Sequence, residues 1–316
     1  METLLYVVAR SLVALLQALP LRVVARLGRA GGALAWWLDA RHRRVALKNL
    51  AMCFGHEMSP AELRRLAREH FRRLGENYAC AVKAAGMRPD ALARHVEFVG
   101  AERLAPPRPG EPPPSLVVAI GHFGNFELYA HFGQFMPAYQ CVTTYRALRQ
   151  PSLDRLLQSL REQTGCLYFE RRRDAMALRA VMRRPGIILG LLADQRAARG
   201  GVRVPFFGRD CSTTAAPAVF ALRYRCRLFT AICYRVGLAQ WRIELGDEIP
   251  TRENGAPRPV RDITADINRA FEAAVRRDPA NWFWVHDRWK PPRSEVPPAP
   301  TRPGELATAD KPRDGN

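Results

Sequence analysis

Short, continuous apolar runs that alternate with helical patterns constrain the fold of this chain most strongly. The runs, together with one segment that alternates as a half-exposed strand does, lie at 116–121, 187–193, 228–234 and 241–245. Apolar runs of this length that are rich in Val, Ile and Leu are typical of strands buried on both faces of a sheet. Helical patterns at 151–164 and 174–184 lie between them. The sequence therefore predicts an α/β fold with a mixed, mostly parallel sheet flanked by helices.

The charge balance of the chain limits its partners. It carries 49 basic and 30 acidic residues, a formal net charge of +19. Such an excess favours an anionic partner: nucleic acid, anionic lipid headgroups or an acidic protein. Most of the basic residues are Arg, whose guanidinium binds phosphate with two hydrogen bonds. No aromatic–basic RNA motif or helix-turn-helix pattern occurs, so we expect a membrane surface or an acidic protein and no nucleic acid.

Residues 1–40 predict a membrane-anchoring helical segment. The stretch 2–19 is an apolar run of helical length interrupted only by Arg10, and the amphipathic stretch 21–38 ends in two tryptophans. Tryptophans and basic side chains that reach toward headgroups are typical of helices at a membrane. The first stretch either spans the bilayer or lies in its plane. An ordinary pair of core helices is the alternative.

The rest of the chain divides into one α/β domain at 41–292 and a Pro-rich tail at 293–316 that we expect to be disordered. Within the domain, a packing helix is predicted over 59–86, because Ser59 and Glu62 have the spacing of a capping box. The Pro-rich segment 105–114 predicts an irregular loop.

Several classes of chemistry lack their sequence signals. The seven cysteines are dispersed without a CxxC pair, which predicts buried thiols in a reducing compartment, no disulfide and no metal site. No G-x-S-x-G elbow, Walker loop or G-x-G-x-x-G occurs. We therefore expect no cofactor and no covalent enzyme intermediate, and the reaction would be a direct transfer to a bound acceptor.

The main candidate for catalysis is His122, which directly follows the strand predicted at 116–121. Ligands of α/β sheets bind beyond the carboxyl ends of the strands. A neutral histidine can remove a proton from an alcohol near pH 7, and a carboxylate on its other nitrogen fixes the tautomer. Glu127 follows five residues later, after a turn, and we expect it to orient His122. A histidine with a purely structural role is the alternative.

The segment from His122 to Glu127, HFGNFE, resembles the H-x₄-D/E motif of the lysophospholipid acyltransferase superfamily. Its form is similar to one branch in particular, the lipid A biosynthesis acyltransferases of the lauroyl and myristoyl types. The resemblance covers about residues 1–292. Further similar segments follow in order at 43–54, 145–154, 192–195, 204–214 and 281–290. Ala147 and Gln150 depart from the branch's pattern, which has proline and asparagine there.

The resemblance implies a glycerolipid acyltransferase-like fold at the cytoplasmic face of a bacterial inner membrane. The donor would be an acyl-acyl carrier protein, and the acceptor a phosphorylated glucosamine lipid, a precursor of lipid A. His122 would deprotonate the acceptor hydroxyl, and Glu127 would orient His122. Candidate substrate-binding residues are Asn125, Arg146, Arg171, Arg172, Asp194 and Gln195.

Alternatives stay open for several of these residues. Arg146 either approaches the substrate or thioester oxygen or forms an ion pair. The arginines at 171–173 form either a phosphate or carrier-protein patch or a solvated face. Asp194 either orders the site through hydrogen bonds or caps a following helix. The pair Phe206–Phe207 lines an acyl tunnel or packs in the core.

We expect Trp282, Trp284 and His286 to pack and close the end of the fold, and we assign no functional role to His70. One rival function is the same chemistry on another bacterial glycolipid or aminolipid. A second rival is a non-catalytic basic protein that binds membrane or nucleic acid.

Overall fold

The computed structural model describes residues 2–104, 112–198 and 200–290. Most of the loop predicted at 105–114, and the tail predicted at 293–316, lie outside these residues. The described α-helices are α1 (Glu2–Ala18), α2 (Leu21–Leu38), α3 (Ala40–Phe54), α4 (Pro60–Ala85), α5 (Pro89–Ala93), α6 (Phe132–Phe135), α7 (Pro151–Glu162), α8 (Ala175–Val181), α9 (Ala216–Tyr224) and α10 (Val260–Arg277).

The described strands are β1 (Val96–Val99), β2 (Leu116–Ile120), β3 (Gln140–Tyr145), β4 (Leu167–Glu170), β5 (Ile187–Leu192), β6 (Val202–Phe206), β7 (Arg209–Thr213), β8 (Arg227–Gly237), β9 (Gln240–Glu248), β10 (Arg252–Glu253) and β11 (Ala256–Pro257). Three short 3₁₀ turns lie at Ala101–Leu104, Phe126–His131 and Pro279–Asn281.

Seven of these strands form one sheet in the order β1-β9-β8-β2-β5-β3-β4. Every neighbouring pair is parallel except β8 and β9, which are antiparallel. The mixed, mostly parallel sheet predicted from the apolar runs is therefore confirmed. The pairs β6–β7 and β10–β11 form separate antiparallel ribbons.

Helices cover both faces of the central sheet, which explains why all five residues of β2 are buried. The odd-numbered positions of β2, such as Val117, pack with residues of α3, α8, α9 and α10. The even-numbered positions, such as Val118, pack with residues of α2, α4 and the segment 126–136. The domain core is thus two apolar layers separated by the sheet.

The helix α4 begins as the sequence predicts and packs closely on α2. Ser59 and Glu62 form both hydrogen bonds of the capping box. A Cβ atom at Gly32 would lie 2.1 Å from the carbonyl oxygen of Phe71, and one at Gly75 would lie 2.2 Å from that of Gly28. Glycine at these positions therefore allows the two helix backbones to touch, which joins α2 to the main domain.

The outer surface of the N-terminal helices is apolar. No residue of α1 is buried, and Leu4, Val8 and Leu12 are more than half exposed. Of the two tryptophans at the end of α2, Trp36 is buried whereas Trp37 is 68% exposed. None of the helices in the described ranges combines the length and the apolarity needed to cross a membrane. Attachment of these helices to a membrane remains a prediction, as does the domain boundary at residue 40.

Candidate active site

The turn that follows β2 positions His122 at the carboxyl edge of the sheet. It is held by the backbone N–H of Gly124, which donates to the carbonyl oxygen of Asn281 at 2.9 Å. Gly124 has a φ of 51°, and a Cβ atom there would lie 2.4 Å from the carbonyl oxygen of Cys233. The close approach of this backbone and the positive φ both require glycine. The motif therefore folds tightly against the neighbouring strand β8.

Asp194 binds His122 directly. It follows β5, the neighbour of β2, and the registers of these parallel strands put both residues at the same edge. Oδ1 of Asp194 accepts from Nδ1 of His122 at 2.8 Å. Oδ2 accepts from the backbone N–H of His122 and from the indole N–H of Trp282, both at 2.9 Å. Because the carboxylate can only accept, Nδ1 carries the proton and Nε2 keeps its lone pair.

The environment of Asp194 keeps it ionised. Its burial by itself would raise the pKa of the carboxyl group, but the electrostatic interaction with His122 and the hydrogen bonds from His122 and Trp282 outweigh burial and hold the pKa below its ordinary value. Two alternatives were open for Asp194: it orders the site through hydrogen bonds, or it caps a helix. The structure shows the first, because Asp194 binds both His122 and Trp282. The chain continues from Asp194 into the β6–β7 ribbon, and the described residues between them include no helix for it to cap.

The predicted contact between Glu127 and His122 is corrected by the structure. Glu127 instead forms an ion pair with Arg161 of α7, with Oε1 at 2.9 Å from Nη2. The physical reason is that residues 126–131 form a 3₁₀ turn and not the start of an α-helix. This turn directs Glu127 toward α7 while Asp194 occupies Nδ1 of the imidazole.

A large apolar cavity runs along one face of the sheet beside this site. Its space measures about 960 Å³ when the part open to solvent is included, and its lining includes residues of all seven strands. The segment Phe126–Phe132 covers it, and the Glu127–Arg161 pair lines it, with the guanidinium over the rings of Tyr145 and Tyr168. Such a cavity suits a long hydrocarbon chain, which gains free energy wherever apolar surface leaves water.

A second, smaller cavity, of about 220 Å³ when the space open to solvent is included, has His122 in its wall. Its other walls include Phe126, Phe283, Asn77 and His70. Phe126 and Phe283 contact the His122 ring at centroid distances of 4.7 and 5.5 Å. Phe126 lines both cavities and contacts the imidazole, so its ring lies between the large cavity and His122.

The arginines predicted to bind substrate lie along the same edge of the sheet. Arg146 follows β3 and Arg171 follows β4, and the N–H of Arg171 donates to the carbonyl oxygen of Tyr145 at 3.1 Å. Strands in a sheet are about 4.8 Å apart, so these backbones lie about 10 and about 14 Å from that of His122. Arg146, Arg171 and Arg172 are exposed. Their substrate contacts stay predictions.

Two further candidates lie close to the imidazole in sequence or in space. Asn125 is buried behind the 3₁₀ turn, and its Nδ2 has no hydrogen-bond partner among the described residues. Gln195 is half-buried next to Asp194. Their roles in binding also stay predictions.

Several residues outside the predicted site complete the architecture. Phe206 packs against Trp282 and Trp289 and does not line the large cavity, which favours core packing over an acyl tunnel. Trp282 packs as expected but also binds Asp194. The sequence does not indicate that Arg161 and His70 belong to the site, and for His70 the only signal is its position on the apolar face of a helix.

The described part of the chain contains neither a reactive cysteine nor a metal site. All seven cysteines are buried as free thiols. Burial raises the pKa of the Cys53 and Cys80 thiols to about 12, so they stay protonated near neutral pH. No group of His, Cys, Asp or Glu within the described ranges has the arrangement of a metal site.

Comparison with known families identifies the class of enzyme to which this arrangement belongs. The chain is an acyltransferase. It belongs to the family described as bacterial lipid A biosynthesis acyltransferase, whose profile matches residues 2–291. The acyltransferase class predicted from the sequence is thereby confirmed, and the non-catalytic rival is wrong.

Two relatives show how far the similarity extends. The lipid A biosynthesis lauroyltransferase of Escherichia coli is 26% identical over 288 residues, which are 88% of this chain and 89% of that protein. The phosphatidylinositol mannoside acyltransferase of Mycolicibacterium smegmatis is 28% identical over 184 residues, which are 55% of this chain and 56% of that protein. The chain thus spans little more than half the length of the second relative.

Proposed function

We propose that this chain transfers a fatty acyl group from acyl-acyl carrier protein to a hydroxyl of a lipid A precursor, with His122 as the general base. The observation that carries the proposal is the hydrogen bond between Nδ1 of His122 and Asp194. It leaves Nε2 free to accept a proton, and it stabilises the imidazolium that forms. Asp194, rather than Glu127, is the positioning residue in this proposal.

The reaction needs one base and no covalent enzyme intermediate. The acceptor hydroxyl gives its proton to Nε2 of His122 as its oxygen attacks the thioester carbonyl carbon. The new C–O bond forms, the C–S bond breaks, and the imidazolium returns the proton to the leaving thiolate. The products are an ester on the lipid and the free thiol of the carrier protein.

The large cavity is the proposed site of the acyl chain. Its walls are mostly aliphatic and aromatic, and Phe126 separates it from His122. A chain that enters beneath residues 126–132 would carry its thioester carbon toward the imidazole. The Glu127–Arg161 pair would then form part of the cavity wall and hold the 3₁₀ turn against α7.

The exposed arginines are the proposed site of anionic groups. Arg146, Arg171 and Arg172 follow strands at the His122 edge, and the chain carries a net charge of +19. An acidic carrier protein and the phosphates of a lipid A precursor would both be attracted to this edge.

We also propose that α1 and the outer side of α2 lie on the cytoplasmic face of the inner membrane. Leucines and valines of α1 are exposed, and Trp37 is exposed at the end of α2. Flotation with anionic vesicles tests this: the wild type should bind, Leu4→Glu/Leu12→Glu should bind much less, and Leu4→Met/Leu12→Met should bind as the wild type does. Equal binding of all three would contradict the proposal.

The decisive test of the activity uses radiolabelled lauroyl-acyl carrier protein and a glucosamine-based lipid A precursor. The wild type should transfer label to the lipid, and His122→Ala should reduce the rate by about 10²–10⁴-fold. His95→Ala is the matched control, because His95 lines neither cavity and its Nδ1 binds the carbonyl oxygen of Ala239. Full transfer by His122→Ala would refute the mechanism.

The same chemistry on a different glycolipid is the second candidate function. The similarity to the phosphatidylinositol mannoside acyltransferase favours it. Mass spectrometry of membrane lipids with and without the protein separates the two candidates, because it reports the acceptor and the acyl chain together.

A further inference from the structure

His70 lies in the wall of the small cavity that also contains His122. His70, Leu74 and Asn77 are spaced by four and three residues along α4, and this helix face forms one side of the cavity. His122 and Phe283 belong to the other walls. Two imidazoles from distant parts of the sequence therefore share one cavity.

The tautomer of His70 follows from its neighbour. Its Nδ1 lies 3.4 Å from the carbonyl oxygen of Ala280, which can only accept, so Nδ1 carries the hydrogen. Nε2 then has a lone pair, and it has no hydrogen-bond partner among the described residues. The side chain is 2% exposed, so bulk water does not satisfy this atom.

Burial keeps this imidazole neutral, because loss of solvation lowers the pKa of His70 to about 4. Near neutral pH it is therefore a fixed hydrogen-bond acceptor and neither an acid nor a competing base. An unpartnered acceptor in a buried cavity is costly unless a ligand or a water supplies a donor.

The neighbouring polar side chains already have partners for their oxygens. Oδ1 of Asn77 accepts from the Trp241 indole at 3.2 Å, and Oδ1 of Asn281 accepts from the N–H of Arg235 at 3.3 Å. The pocket measures about 220 Å³ when the space open to solvent is included, and its enclosed part of about 10 Å³ has room for one group about the size of a water molecule, such as a hydroxyl.

We propose that Nε2 of His70 accepts a hydrogen bond from the acceptor lipid, from an O–H or N–H group next to the hydroxyl that His122 deprotonates. This inference rests on the proposed function and deepens it. His122 acts on the reacting hydroxyl, and His70 selects acceptors that carry a second donor beside it. Two donor sources fit: a neighbouring sugar hydroxyl, and the amide N–H of an amide-linked 3-hydroxyacyl chain.

Two substitutions test the roles of the two ring nitrogens of His70 separately. The amide nitrogen of His70→Asn replaces Nδ1 and keeps the bond to Ala280, but nothing replaces Nε2. The longer side chain of His70→Gln puts an amide oxygen near the position of Nε2. A purely structural role through Ala280 would favour the Asn variant, whereas the proposed role favours the Gln variant.

The test measures KM and kcat with lauroyl-acyl carrier protein and three glucosamine phosphate acceptors. The first carries an amide-linked 3-hydroxymyristoyl chain, the second is its ester-linked counterpart, and the third lacks the sugar hydroxyl next to that chain. We expect the wild type and His70→Gln to show a KM about 3- to 10-fold higher for the second or for the third acceptor than for the first. The acceptor that loses affinity identifies the donor as N–H or as O–H.

For His70→Asn we expect a KM for the first acceptor raised about 3- to 10-fold, and equal KM values for all three. Hydrolysis of lauroyl-acyl carrier protein without acceptor should keep its wild-type rate, which shows that His122 remains intact. A wild type that does not distinguish the three acceptors, or a His70→Asn variant that still does, overturns the inference. Wild type that acylates none of them, while hydrolysis persists, overturns the proposed acceptor class and this inference with it.

Discussion

Asp194 holds His122 through both of its carboxylate oxygens. Oδ1 accepts from Nδ1 of the imidazole at 2.8 Å, and Oδ2 accepts from the backbone N–H of the same residue at 2.9 Å. The indole of Trp282 donates to Oδ2 as well. Side chain and backbone of His122 are thus fixed by one buried carboxylate, which sets both the tautomer and the orientation of the ring.

Replacing Asp194 by Asn should impair catalysis while leaving the fold intact. All three partners of the carboxylate are donors, and an amide offers only one accepting oxygen, so at least one donor would face an N–H group. We expect kcat to fall by about 10²–10⁴-fold with a small change in KM. Nitrogen NMR of His122 should show a mixture of tautomers. A variant with wild-type kcat would exclude Asp194 as the positioning residue.

The contributions of Glu127 and Arg161 to the free energy of unfolding should be coupled. The two side chains are 27% and 17% exposed, so removal of one partner leaves a poorly solvated charge on the other. We expect Glu127→Gln and Arg161→Gln each to lower the free energy of unfolding by about 1–3 kcal/mol. The double variant should lose less free energy of unfolding, measured by urea denaturation, than the two single variants lose together. Strict additivity would show that the pair does not couple.

Enlarging Gly190 should shorten the acyl chain that the enzyme accepts. Gly190 lies on β5 and lines the large cavity, and a Cβ atom there would lie 3.4 Å from Cδ1 of Ile120. Gly190→Ala therefore fits without displacement and should keep the wild-type preference. Gly190→Leu would project into the cavity, and we expect its kcat/KM to shift toward shorter chains in a series of acyl-carrier thioesters. If Gly190→Leu had the same chain-length preference as the wild type, the large cavity would not be the site of the acyl chain.

The buried His70 should make stability depend on pH. Desolvation lowers its pKa from 6.5 to about 4, so the unfolded chain binds the proton first as the pH falls. The contribution of the neutral imidazole is complete above pH 6.5 and is lost as the pH falls toward 4. Relative to His70→Gln, the free energy of unfolding of the wild type should decrease by at most about 3 kcal/mol over that range. A constant difference between the two proteins would show that His70 titrates normally.

Much of the fold can be predicted from the sequence because it depends on local patterns. The runs at 116–121 and 187–193 are apolar throughout, since a strand covered on both faces has no polar side. Ser59 and Glu62 satisfy each other's N–H groups within one turn, so their spacing alone specifies the start of α4. His122 was found for a similar reason, because a polar residue directly after a buried strand lies at the sheet edge where ligands bind.

The partner of His122 was decided by the tertiary structure. Spacing along the chain favoured Glu127, five residues away, whereas the structure has Asp194, which is 72 residues distant. The pairing of β2 with β5 brings the two strand ends together, and the 3₁₀ turn at Phe126–His131 sends Glu127 to Arg161. His70 reaches the same cavity only through the packing of α4. Strand order and helix packing bring together residues that are far apart in sequence, and local spacing carries no signal of such contacts.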